Sequence, residues 1–74
     1  MAGQYSASTL DVNVNYSGEV FNAQINNIAW NGDNFTGNID GISISGVDNN
    51  GSITASGYYM GNKYTANGTV TNWN

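Results

Sequence analysis

The chain is written in short runs that alternate apolar and polar residues, and most runs are closed by a turn signal containing glycine. A period of two describes a strand with one buried face; the same residues wound into a helix would be scattered around it. Leu10-Asp11-Val12-Asn13-Val14-Asn15-Tyr16 alternates without a break, and Ser17-Gly18 follows as a two-residue turn. Folding about that turn sets Tyr16 against Glu19, Val14 against Phe21, Val12 against Ala23 and Leu10 against Ile25. Apolar residues meet on one side of the hairpin, which is the condition that holds a register in place.

The test repeats along the chain. Asp40-Gly41 is a strong type I′ signal and pairs Ile39 with Ile42, Gly37 with Ile44 and Phe35 with Gly46. A four-residue loop at Asp48-Asn49-Asn50-Gly51 sets Gly46 against Ile53, Ile44 against Ala55 and Ile42 against Gly57. Gly61-Asn62 is a further hairpin signal; it pairs Tyr59 with Tyr64, Gly57 with Ala66, Ala55 with Gly68 and Ile53 with Val70. Between the second and third strands the phase slips: Phe21, Ala23 and Ile25 share one face, Ile28 and Trp30 the other. A β-bulge at Asn26-Asn27 restores it, and Asn31-Gly32-Asp33-Asn34 then turns the chain into Phe35. The prediction is an all-β, antiparallel up-and-down meander of six strands, over 8–16, 19–30, 34–39, 42–47, 52–60 and 63–71. Residues 1–7 form an N-terminal extension and 72–74 a tail to one domain spanning 1–74.

A sheet with one apolar face must cover it, and helix formers are too scarce to supply a helix. The sheet therefore curls into a β-barrel, or forms a half-barrel completed by dimerisation, in which case its edge strands are open to pairing. Gly37, Gly46, Gly57 and Gly68, placed among Ile, Phe and Tyr, suit strong curvature. At 74 residues the core is thin, and the chain has neither Cys nor His for a disulfide or zinc staple.

From Leu10 onward the sequence resembles the β-barrel domain of transferrin-binding protein B and related surface lipoproteins. The likeness is carried by Leu10-Asp11-Val12 with Ser17-Gly18, then Phe21-Asn22-Ala23, Asn34-Phe35-Thr36-Gly37, Gly57-Tyr58-Tyr59-Met60-Gly61 and Ala66-Asn67-Gly68. The family's Pro and Glu after the Tyr-Gly turn are missing, Met60 is an extra residue, and the family barrel has eight strands. The acylated Cys of its lipid-anchored members is absent as well. The resemblance implies a barrel and, beyond it, capture of a host protein at a cell surface.

Charge narrows the function classes. Lys63 stands alone against Asp11, Glu19, Asp33, Asp40 and Asp48, for a net charge of −4. One cation cannot neutralise a nucleic-acid backbone, so no nucleic-acid partner is expected. No apolar run is long enough for a membrane helix and no leader pattern opens the sequence, which points to the cytoplasm, or to the cell surface if a leader was removed. Without His or Cys the usual triad and thiol sites cannot be built. The meander places Glu19, Asp40 and Lys63 near one end and Asp33 and Asp48 at the other, as charges on exposed turn tips. Asp48-Asn49-Asn50-Gly51 lacks the EF-hand pattern, and Asn, Asp and Gly are what turns demand anyway. No metal, cofactor or catalytic residue is therefore assigned. Sequons at Asn15, Asn34, Asn50 and Asn67 are accidents of an Asn-, Ser- and Thr-rich text unless the chain enters a eukaryotic secretory route.

The expected function is non-catalytic protein binding by occlusion of a partner surface, as in a small phage or mobile-element inhibitor of a bacterial defence complex (anti-CRISPR-like). The outward face, including Asn13 and Asn15, is polar but nearly uncharged, and Val20, Val47 and Tyr58 interrupt it. With Trp73 these form the candidate contact set, Tyr58 first among them. The terminal aromatics Tyr5 and Trp73 could equally plug the open end of a barrel. The alternatives are a surface module that binds a host protein and a glycan-binding module. The latter would use the Asn- and Thr-rich outward face with the aromatics Trp30 and Trp73 at the loop end, beside Asp33 and Asp48.

Overall fold

Tight turns set the architecture. Ser17-Gly18, Asp40-Gly41, Asn50-Gly51 and Met60-Gly61 each have two consecutive residues at positive φ, from 50° to 93°. This is the type I′ geometry, whose twist matches that of the strands it joins. At Gly32-Asp33 only Gly32 is positive (φ 65°), the type II′ pattern. The computed structural model describes residues 4–74. It comprises a single 3-10 turn, Gln4–Ser6, and six strands: β1 (Leu10–Tyr16), β2 (Glu19–Asn31), β3 (Asn34–Ile39), β4 (Ile42–Asn49), β5 (Ser52–Tyr59) and β6 (Asn62–Trp73). They run as an antiparallel meander in sequence order, and β1 pairs with β6 to close a barrel. Closure removes the two edges that would otherwise invite a further strand.

The registers of β1 with β2 and of β3 with β4 are those expected, from Leu10 opposite Ile25 to Ile39 opposite Ile42. The bulge also lies where the phase slips: pairing shifts between Asn26 and Ala29, and Asn27 takes a positive φ of 55°.

Two registers need correction. Gly46 opposes Ala55, not Ile53, because a two-residue turn at Asn50-Gly51 replaces the four-residue loop. Likewise Tyr59 opposes Asn62, not Tyr64, because Met60-Gly61 is the turn in place of Gly61-Asn62. Each error is a slip of two residues, which leaves every side chain on its original face. Strand limits move accordingly. β4 extends to Asn49, β5 stops at Tyr59, and β6 starts at Asn62. β6 also runs on to Trp73, so most of the expected tail is strand, while β1 begins two residues late, at Leu10. A second bulge, not foreseen, shifts the β1–β6 register between Asp11 and Val12; beside it the Thr71 hydroxyl donates to the Asp11 carbonyl at 3.1 Å. Of the expected extension, residues 1–3 lie outside the described residues.

The buried core lies toward one end of the barrel. Leu10, Val12, Ile25, Phe35 and Ile53 are buried from the strands, and Ala7 joins them from the segment before β1. Gly46, opposite Phe35, leaves no room for a side chain: a Cβ there would lie 2.5 Å from the Thr54 carbonyl oxygen and 2.8 Å from the Ala55 Cβ.

Candidate functional site

A meander gives a barrel two unlike ends. The turns at 17–18, 40–41 and 60–61 lie at one; the start of β1, the end of β6 and the turns at 32–33 and 50–51 lie at the other. The second end is plugged. Trp30 donates its indole N–H to the Ala7 carbonyl at 2.8 Å. Its ring meets Tyr5 at 5.0 Å, Phe35 at 5.4 Å and, stacked at 28°, Trp73 at 6.3 Å between centroids. Backbone bonds from Ile28 to the Ser8 carbonyl (3.0 Å) and from Asn74 to the Thr9 carbonyl (2.9 Å) hold the incoming segment across this end.

Asp48 lies under the plug, and here the expectation of an exposed turn-tip charge is overturned. It is 1 % exposed, the only buried polar residue among those described. Its place on β4, in phase with Ile42, Ile44 and Gly46, turns the side chain inward. Oδ1 accepts the Gly51 N–H at 2.9 Å, and Oδ2 is buried beside it. Burial raises the Tyr5 phenol above its ordinary pKa of 10.0, and hydrogen bonding of its hydroxyl to the Asp48 carboxylate, then the charges of Asp48 and Asp33, push it the same way. Asp33 stays exposed and meets Asp48 only through its backbone, whose carbonyl accepts the Asp48 N–H at 2.9 Å. No three acidic side chains among the described residues come together as a cation site would require.

The opposite end is open. A cavity of about 380 Å³ runs from it into the lumen. Val12, Ile25 and Ile53 form its floor, which is also the roof of the plugged half, and Val14, Ile44 and Ala55 line its wall. Tyr16, Phe21, Tyr59 and Tyr64 stand at the mouth and are 38 to 53 % exposed. Tyr16 and Tyr64 meet edge to face at 6.0 Å. Glu19 opposes Tyr16 across the β1–β2 hairpin and precedes Phe21 by two residues, so it shares their phase at the rim, just outside the residues that line the cavity. Lys63 pairs with Tyr58 and, with Thr65, borders a shallow groove on the outer wall instead.

The expected contact residues are not gathered in one place. Asn13, Asn15 and Val20 share the outer face of β1 and β2, with Asn15 opposite Val20. Val47 and Tyr58 lie on the outer face of β4 and β5. Trp30 and Trp73 are half-buried in the plug, packed against each other. Sequence reasoning missed the rim aromatics as functional candidates. The signal was available, since Tyr16, Phe21, Tyr59 and Tyr64 all lie in the inward phase beside two turns at the same end, 17–18 and 60–61. No protein-family model matches the chain, and neither a curated protein nor a solved structure does.

Proposed function

We propose that this barrel is a non-catalytic binding module that takes an apolar group into its lumen through the open end. The observation that carries the reading is the cavity of about 380 Å³, walled by Val, Ile and Ala and rimmed by exposed aromatic rings. Ligand sites are concave, mostly apolar and largely pre-formed, with volumes from about 300 Å³ upward. Aromatic rings left half in water at a rim are surface that gains from being covered. An environment-sensitive naphthylamine dye tests the reading directly. Saturable one-to-one uptake is expected, and Ala66→Leu, which narrows the wall, should weaken it while the far-ultraviolet circular dichroism stays unchanged. Uptake that never saturates, or that ignores the narrowing, would defeat it.

A second reading, occlusion of a protein partner, is favoured by Tyr58, which is 67 % exposed on the same outer face as Val47. Parallel affinity capture from a bacterial lysate and from serum separates an intracellular inhibitor from a host-protein binder. Tyr58→Ala should abolish such capture and leave dye uptake intact. The transferrin-binding-protein-like role belongs with the serum outcome.

A further inference from the structure

We infer that the ligand is an amphiphile with one alkyl chain and a cationic, ammonium-type head. This rests on the apolar-lumen reading above and assigns the chemistry of the two ends of its ligand.

Depth selects the tail. Below the rim the inward side chains are Val12, Val14, Ile25, Ile44, Ile53 and Ala55, and none carries a hydrogen-bonding group. A polar or charged head drawn to that depth would lose its hydration without replacement. The head therefore stays at the mouth and the chain goes down. At about 380 Å³ the space lies near the small end of ligand sites, which suits a single chain better than a fused-ring skeleton.

The mouth selects the head. Tyr16, Phe21, Tyr59 and Tyr64 line it with aromatic rings along β5, β6, β1 and β2, leaving Ile39 and Ile42 on the remaining side, and ring faces attract cations, most of all alkylated ammonium groups. Glu19 adds a carboxylate at the edge of the same rim, opposite Tyr16 and in its phase, and Asp40 lies in the neighbouring turn. The one lysine is on the outer register, opposite Tyr58, and borders the outer groove. The whole chain carries −4, so its field draws cations and repels anions. A fatty carboxylate would bring a like charge to Glu19. An uncharged alcohol of equal length would fill the lumen equally well and gain nothing at the rim.

The test is calorimetric titration of the full chain with decyltrimethylammonium, decanol and decanoate, each below its aggregation limit, at neutral pH and low salt. The ammonium should bind tightest, by roughly tenfold over decanoate and a few-fold over decanol. Between hexyl and octyl ammonium, affinity should rise about fourfold per methylene. Glu19→Gln, an exposed change that leaves the thermal midpoint alone, should weaken the ammonium about threefold and leave decanol untouched. Tyr59→Leu, which keeps apolar bulk and removes the ring, should likewise narrow the gap between ammonium and alcohol. Decanoate binding as tightly as the ammonium, or decanol matching it, overturns the head-group assignment while the lumen reading stands. If none of the three ligands saturates, the lumen reading falls, and this inference with it.

Discussion

The two ends of the barrel are built from the same alternating text and finish in opposite states. At the plugged end, Leu10, Phe35 and Ile53 are buried, and Trp30 has aromatic neighbours at 5.0, 5.4 and 6.3 Å. At the open end Phe21, Tyr59 and Tyr64 are half in water, and Met60 is 82 % exposed. Inward phase alone does not bury a residue; something must lie across the end of the lumen. The segment before β1 does so at one end, bringing Tyr5 and Ala7 over Trp30, and the two-residue turns opposite are too short to fold inward. Stability and binding are thus divided along the barrel axis. One half holds the fold, and the other is left free to be covered by something else.

The largest expected break in this comparison is Phe35→Ala. It should cost about 3–5 kcal/mol of unfolding free energy in urea, whereas Phe21→Ala at the open end should cost about 1 kcal/mol or less. Equal losses would mean that both halves support the fold. Gly46→Ala comes next. The new methyl would press on backbone at Thr54, which cannot swing aside, so a loss of about 1–3 kcal/mol is expected. A hydroxide titration followed at the tryptophan bands of the near-ultraviolet circular dichroism reports on the plug, where Trp30 and Trp73 both sit. With its pKa raised in the fold, Tyr5 contributes fully below pH 10.0, and its contribution drains away as the pH climbs through the raised value. Tyr5→Phe should erase that alkaline step. The smallest effect belongs to the open end. Met60→Asn should stabilise by about 0.5–1 kcal/mol, since Met60 holds a φ of 54° that Asn adopts more readily.

These contrasts also explain what could be read in advance. Six strands, the meander, two registers and the bulge follow from which residues can share a buried face. The β4–β5 and β5–β6 registers did not, because a slip of two preserves the face and leaves turn chemistry to decide. Asn50-Gly51 and Met60-Gly61 place glycine second, where the type I′ turn is most demanding, and that preference outweighed the reading of Gly61-Asn62. Asp48 was misplaced for the same reason: assigning it to a loop hid its inward phase. The cavity was illegible for a different reason. Alternation tells which side chains point inward, but not whether together they fill the space.

Closure of β1 on β6 sets Leu10 beside Trp73, and the Asn74 amide is 2.9 Å from the Thr9 carbonyl oxygen. Thr9 and Asn74 are therefore neighbours at the end away from the mouth. A bead, a surface or a fused domain attached through either would leave the opening facing outward and unobstructed.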